Sequence, residues 1–592
     1  MQTAGRVLSS NHRQQLVIIS AILVYFFVCV VLAYMALGKP LCGVDDANIF
    51  MVYAKNIVAG KGIVYGAGQE RVEGFSSPLY LAVLCLFFFW RDSPEPALMV
   101  MNFIFASAAI FLILNALKKT FRNLSATPLF YYFCAAAYLS VMLANPAYYS
   151  RLILSLMDNA LYSLLIILGF SFLVNLQQKK NVVEKDCLHL FALVPFVVLS
   201  RPEGMVWAPV FIALFYIIGT AKIKDPITSS KKSFLPLLSF LGTAAALTVF
   251  RVVYFGYPLP NTFYAKVSLS FMNNFSEGLR YLTAFFTYYS LILTIIFFSF
   301  LALTGLFLFR RHEKLKHLEK EIQQIIPLAM ITFVFILIGL ILPVIEGGDY
   351  FNDFRFYQNI YPLLCVPFLY LVLIFHRSFT RAKIAAVAVL FNLFFFYANP
   401  AGWDIFYSHN QPGFIPKDHA FRTISEYTIA LKCRENGEQL NLIFSGFLPT
   451  IGYGAAGGIA YAYNGIVYDM MGLNHTKMAH ADAIKYGPRA HAAFNKEVFY
   501  EISPDILNPT SFRTDQPIAL SQEKAYYCDP LSWDNIIFKN IFNDEKFKNS
   551  YSLAIVMNMK ESRYKCYGFY SKSFISRLRI NPSFKIEEVL KY

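Results

Sequence analysis

The sequence predicts a polytopic α-helical membrane protein that ends in a mixed α/β extracytoplasmic domain. Of its 592 residues, 57% are hydrophobic and only 15% are charged. Apolar runs near the roughly 20 residues that a helix needs to cross a bilayer recur through the first 400 positions. From about Ala401 those runs shorten, and Gly, Asn, Asp and Lys become frequent. Composition therefore divides the chain into a membrane domain, 1–400, and an outer domain, 401–592.

In chain order the candidate spans are 16–37, 97–117, 128–143, 160–176, 188–199, 206–218, 234–249, 286–309, 325–344, 360–374 and 385–397. A shorter run at 79–90 reads as a span or a re-entrant helix, so about 11–13 spans are expected. Segment 16–37 exceeds the apolar core of a signal peptide and is expected to stay as an anchor. Lys and Arg gather at 118–122, 179–185, 222–232, 310–320 and 377–383, which the positive-inside rule assigns to the cytoplasm. Loops 145–158, 201–204, 255–280 and 346–357 then face outward, as does the C-terminal region.

The outer domain is long enough to bury a core of its own. Within it, 440–445 and 465–469 read as short buried strands, and 497–506 and 535–542 as helices. It carries +2 of the formal net charge of +15, and the membrane domain carries +13. The positive excess is thus a topological signal, and no nucleic-acid partner is expected. Most of the nine cysteines lie in apolar segments, and a disulfide between Cys528, Cys566 or Cys433 is chemically allowed outside the cytoplasm. No Walker motif and no CxxC pair occurs, which argues against a nucleotide-driven enzyme.

The outward loops hold the chemistry. The first, 38–78, contains Asp45 and Asp46 and reads DDANIFMVYAKNIVAGKGIVYGAGQERVEGFSSP from Asp45. An ionised acid is costly in lipid, so acids at a membrane face line water or a site. Two adjacent carboxylates can act as a base and an orienting group, or hold a divalent cation. They equally suit the start of a solvated helix. Arg201 and Glu203, in the sequence SRPEG, read either as a site or as an ion pair in a tight interhelical turn. Arg251 and Lys266 bracket RVVYFGYPLPNTFYAK, a loop stiffened by two prolines, and either grip a phosphate or snorkel from an aromatic belt. Asp349 follows Glu346-Gly347-Gly348, with Arg355 six residues on; the alternative there is a glycine-ended helix with a solvated acid. Asp158 reads most simply as a helix N-cap.

Together these segments resemble the mycobacterial terminal β-arabinofuranosyltransferase family. The first loop carries the likeness most specifically. LSRPEG, RVVYFGYPLPNTFYAK and EGGDYFNDFRF follow in the family's order, with VYDMMGL and ISPD in the outer domain. Met157-Asp158-Asn159 departs from the Leu-Glu-Thr usual in the family. The resemblance implies a GT-C fold in a bacterial cytoplasmic membrane and transfer of one sugar, such as arabinofuranose, from a polyprenyl-phosphate donor to a glycan or protein acceptor. It implies Asp45 and Asp46 at the reaction centre; Asp45, which leads the motif, is the expected base. Arg201, Glu203, Arg251, Asn261, Lys266, Asp349 and Arg355 become candidates for contact with the donor phosphate or substrate. An oligosaccharyltransferase or ligase is the nearest rival, although no Trp-Trp-Asp signature occurs. A lipid or sugar transporter is the more distant one, and lacks a reason for so large an outer domain.

Overall fold

A computed structural model of the chain describes residues 2–36, 41–143, 145–223, 226–351, 353–378 and 423–590. The span expected at 385–397 and the boundary expected at 400–401 lie outside the described residues. The chain forms two compact units. One comprises Met1–Lys39, Ala97–Ala246 and Phe275–Phe414; the other comprises Pro40–Pro96, Leu247–Asn274 and Ile415–Tyr592. The 40–96 segment and the 247–274 segment thus belong to the same unit as the C-terminal region.

Among the described residues, five helices are long and apolar enough to cross a membrane: Glu95–Asn123, Asn159–Gln177, Gly204–Ile223, Ile227–Phe255 and Glu313–Glu346. The count rises to seven if two bent pairs, Pro128–Met142 with Pro146–Leu154 and Phe271–Tyr288 with Ile292–Leu308, each act as one span. This is a multi-pass membrane protein. Two other apolar runs form shorter elements. The 79–90 run is the 11-residue helix Pro78–Phe88, about 16 Å long at 1.5 Å per residue. The 360–374 run is broken into Tyr361–Leu364 and Val366–Ile374, each with a proline in its first turn.

The first unit is helical. Its polar loops are shaped by the same residues that end its helices. Helix Glu319–Glu346 stops at Gly347, whose φ of +89° and ψ of 19° are left-handed. The Gly348 amide then donates to the Pro343 carbonyl at 2.7 Å and closes the last turn. The glycine-ended helix is therefore real at this point, because only glycine adopts that conformation without strain.

The second unit is built on a six-stranded sheet of order β2-β1-β3-β5-β4-β6. The strands are β1 Ile451–Tyr453, β2 Val467–Asp469, β3 Ile506–Arg513, β4 Tyr551–Asn558, β5 Glu561–Ser571 and β6 Phe584–Leu590. β2, β1 and β3 run parallel, and the remaining pairs are antiparallel. One face buries an aromatic core that includes Phe494, Phe499, Phe542, Phe547 and Phe569. The strand expected at 465–469 and a helix within 497–506 are present as β2 and Lys496–Ile502. The helix expected at 535–542 is split into Trp533–Ile537 and a 3-10 turn, Ile541–Asn543.

The strand expected at 440–445 is wrong: Leu440 and Ile443 end helix Thr423–Ile443. That helix buries Tyr427, Ala430, Cys433, Asn436, Leu440 and Ile443, a spacing of three and four. A six-residue apolar window is too short to reveal that period. All nine cysteines are free thiols.

Candidate functional site

Helix Asp45–Val58 opens with two carboxylates and buries most of its length. Their environments differ. Asp45 is turned toward the short helix Ala456–Ala462, which follows β1. Its two oxygens accept the backbone N–H groups of Gly457 at 2.9 Å and Gly458 at 2.8 Å. Those donors lie in the first turn of a helix whose own N-cap, Ala455, supplies no side-chain acceptor. Asp45 thus caps that helix from 412 residues away in sequence. Gly457 makes the approach feasible, since a Cβ there would lie 1.9 Å from the Asp45 carbonyl oxygen. Burial pushes the Asp45 carboxyl up to about 6 despite the two amide donors, and the neighbouring charges of Asp46 and Asp469 add to the rise.

Asp46 faces Lys266 instead. The ammonium lies 3.6 Å from the carboxylate, with side-chain exposures of 23% and 17%. That separation is an ion pair beyond direct hydrogen-bond length. Lys266 ends the short helix Asn261–Lys266. The helix is pinned at its start: the Asn261 amide side chain donates to the carbonyls of Gly472 and Leu473 at 2.8 and 2.9 Å, and its backbone N–H to Glu73 at 3.0 Å. Arg251 forks onto the Glu73 carboxylate at 2.8–3.1 Å, so the glutamate of the first-loop VEG sequence has a buried cation as partner. Arg251 and Asn261 therefore hold the frame in which Asp46 and Lys266 meet.

A third carboxylate completes this region. Asp469 ends β2 and is fully buried. It accepts the backbone N–H groups of Met471 and Asn474, each at 2.8 Å, and the Asn474 side-chain amide at 2.9 Å. Burial raises its carboxyl to about 6, against those donors and the pull of Lys266. Both Asp469 and the helix capped by Asp45 sit at the carboxyl end of parallel strands. There the chain turns from β1 to β2 on one side while β3 lies on the other. Ligand sites in parallel sheets form at such a crevice. Asp469 lies in the VYDMMGL segment, where the sequence alone assigns it no role.

Asp45 and Asp46 do not fit a divalent cation as they stand. The Asp45 oxygens serve backbone amides, and the positive charge opposite Asp46 is Lys266. Among the described residues no group of three or more His, Cys, Asp or Glu could hold a metal ion.

The first unit holds a separate charged network. Arg201 sits in extended backbone at the break between helices Glu184–Ser200 and Gly204–Ile223. Its guanidinium pairs with Asp158 at 2.9 Å and with Glu203 at 3.0 Å. Asp158 makes no N-cap hydrogen bond; its expected capping role gives way to a buried ion pair, which a carboxylate out of water requires. Arg355 pairs with Asp349, and Arg151 with Asp353 at 2.7 Å. Two phenylalanines interleave the cations. Phe351 lies against Arg151 at 4.1 Å and Arg355 at 4.4 Å; Phe356 lies against Arg355 at 5.2 Å and Arg201 at 5.5 Å. Three guanidinium groups thus face four carboxylates. Sequence reading missed Arg151 and Asp353; the available signal was a lone arginine inside the apolar run after Tyr149.

The candidates therefore fall into two sets. Asp45, Asp46, Arg251, Asn261 and Lys266 lie in the sheet-bearing unit, and Arg201, Glu203, Asp349 and Arg355 in the helical one.

No protein-family model matches the sequence, and no curated protein matches it. Solved structures similar to it include the following three. ArnT from Cupriavidus metallidurans bound to undecaprenyl phosphate has a TM-score of 0.44 and 11% identity, covering 85% of this chain and 95% of that one. The Archaeoglobus fulgidus oligosaccharyltransferase in the apo form has a TM-score of 0.41 and 11% identity, covering 92% of this chain and 74% of that one. The Archaeoglobus fulgidus oligosaccharyltransferase AglB, in complex with an inhibitory peptide and a dolichol-phosphate, has a TM-score of 0.41 and 12% identity, covering 95% and 75%. Residue roles in this chain are read from its own geometry.

Proposed function

We propose that this chain is a GT-C membrane glycosyltransferase of the bacterial cytoplasmic membrane. In this reading it moves one sugar, a pentofuranose such as arabinofuranose, from a polyprenyl-phosphate donor to a glycan or protein of the cell envelope. The observation that carries the reading is the Asp46–Lys266 pair, a partly exposed carboxylate and ammonium 3.6 Å apart. The first-loop sequence that resembles the arabinofuranosyltransferases supplies one member of it. The outer domain and the mouth of the first loop lie outside the cytoplasm.

Asp46 takes the proton of the acceptor hydroxyl as its oxygen attacks C1 of the donor sugar. The C1–O bond to the phosphate breaks, and polyprenyl phosphate leaves with the electron pair. Lys266 neutralises the charge that grows on the leaving oxygen, and a loose ion pair leaves the ammonium able to turn toward it. Asp45 acts as a positioning residue: it holds the helix that carries Asp46 against Ala456–Ala462. Arg201 and Arg355 are engaged with carboxylates, so their part is to hold the loops of the helical unit.

Mass spectrometry of envelope glycans with and without the protein tests the reading. Loss of a single pentose from one class of glycan supports it. Loss of a whole preassembled oligosaccharide assigns the chain to the oligosaccharyltransferases instead.

A further inference from the structure

We infer that an open groove in the sheet-bearing unit is the acceptor subsite and that it takes a neutral saccharide chain; the assignment rests on the transferase reading above. The groove has a volume of about 570 Å³, within the usual range for ligand sites. Its apolar side is formed by Ala481, Ala483, Ile484 and Tyr486, and the tyrosine is 70% exposed. A solvent-facing ring beside small residues offers a flat surface for the C–H face of a sugar.

The polar side is balanced. Lys539 pairs with Asp482 at 2.9 Å, and Lys496 with Asp544 at 3.3 Å. The Asn495 side-chain amide also donates to Asp482 at 3.2 Å. The charged residues that line the groove are Asp482 and Glu497 against Lys496 and Lys539, so it has no surplus charge to select an anion. It offers instead a carboxylate that accepts, and ammonium and amide groups that donate, which is the complement of sugar hydroxyls. Such a surface suits an acceptor glycan better than the apolar tail of a lipid donor.

The groove is also tied to the candidate reaction centre. The Ala483 carbonyl accepts the N–H of Leu269 at 3.1 Å, and Arg489 donates to the carbonyl of Lys266 itself at 3.1 Å. The chain that builds the groove runs directly from Asn474, the partner of Asp469. A glycan held there is held by the same frame that positions Lys266.

The test measures binding of fluorescently labelled oligosaccharides, released from bacterial envelopes, to the full-length protein in detergent. Two variants are compared, Tyr486→Ala and Ala481→Trp, both at exposed positions, with thermal unfolding as the check on folding. Each is expected to weaken binding at least tenfold and to leave the unfolding midpoint unchanged. Wild-type binding by both variants overturns the assignment, as does an absence of binding by the unaltered protein. Because binding is read without catalysis, this failure is distinct from failure of the transferase reading, which would appear as normal transfer by Asp46→Asn.

Discussion

The Asp45 carboxylate accepts the amide hydrogen of Gly458 at 2.8 Å across 413 residues of sequence. The 38–78 loop is thereby fastened to the C-terminal part of its own unit. Its neighbour Asp46 shares the same helical turn yet faces Lys266. Adjacent acids in one motif thus have separable physical roles. Asp45→Ala should lower stability by about 1–2 kcal/mol, the usual cost of losing an N-cap. Gly457→Ala should cost more, because its Cβ would press on the Asp45 backbone oxygen. Thermal unfolding of the purified protein checks both; unchanged midpoints would remove Asp45 from the structural role.

Asp45 should also leave a signature in pH. Its carboxyl, raised to about 6 in the folded protein, ionises near 4 when unfolded. The folded state therefore favours the protonated form. That contribution is complete below pH 4 and is lost as the pH rises through 6. Relative to Asp45→Asn, the unaltered protein should lose about 1 kcal/mol between pH 5 and pH 7. Thermal unfolding of both proteins at the two pH values measures it, and a difference that stays constant would contradict the assignment.

The Arg201 pair in the helical unit should behave as a buried ion pair. Arg201→Met leaves Asp158 and Glu203 without their cation and should cost about 3–5 kcal/mol. Asp158→Asn leaves Glu203 as a partner and should cost less. Combining the two changes should cost less than the sum of both, since the stranded charge is removed. Strict additivity in denaturation experiments would show that the pair is not coupled.

Cys528 is the thiol of the C-terminal region to use for topology, because it is partly exposed, whereas Cys433 and Cys566 are buried. A membrane-impermeant maleimide on intact spheroplasts should label Cys528 and spare the other two. Labelling of Cys528 only after permeabilisation would place this region in the cytoplasm.

The helical membrane class and the mixed α/β C-terminal region were legible because hydropathy and composition act over tens of residues. Local pattern failed where length was short, as at Leu440–Ile443, which looks like a strand until the helical spacing back to Tyr427 is seen. Charged residues were legible as unusual, but not their partners. Asp158 looks like a cap in the sequence because its partner Arg201 lies 43 residues away. The motif around Asp45 and Asp46 stood out, yet the difference between the two acids depends on Gly457 and Lys266, far along the chain. No local signal encodes such long-range pairing.

The central claim is that Asp46 is the reacting base. Transfer from a lipid-linked sugar should be measured for Asp46→Asn in reconstituted membranes, beside its unfolding midpoint. Loss of a positioned base should slow turnover about 10²–10⁴-fold while the midpoint stays at the unaltered value. Turnover within a few-fold of the unaltered protein would contradict the account and move the chemistry away from this pair.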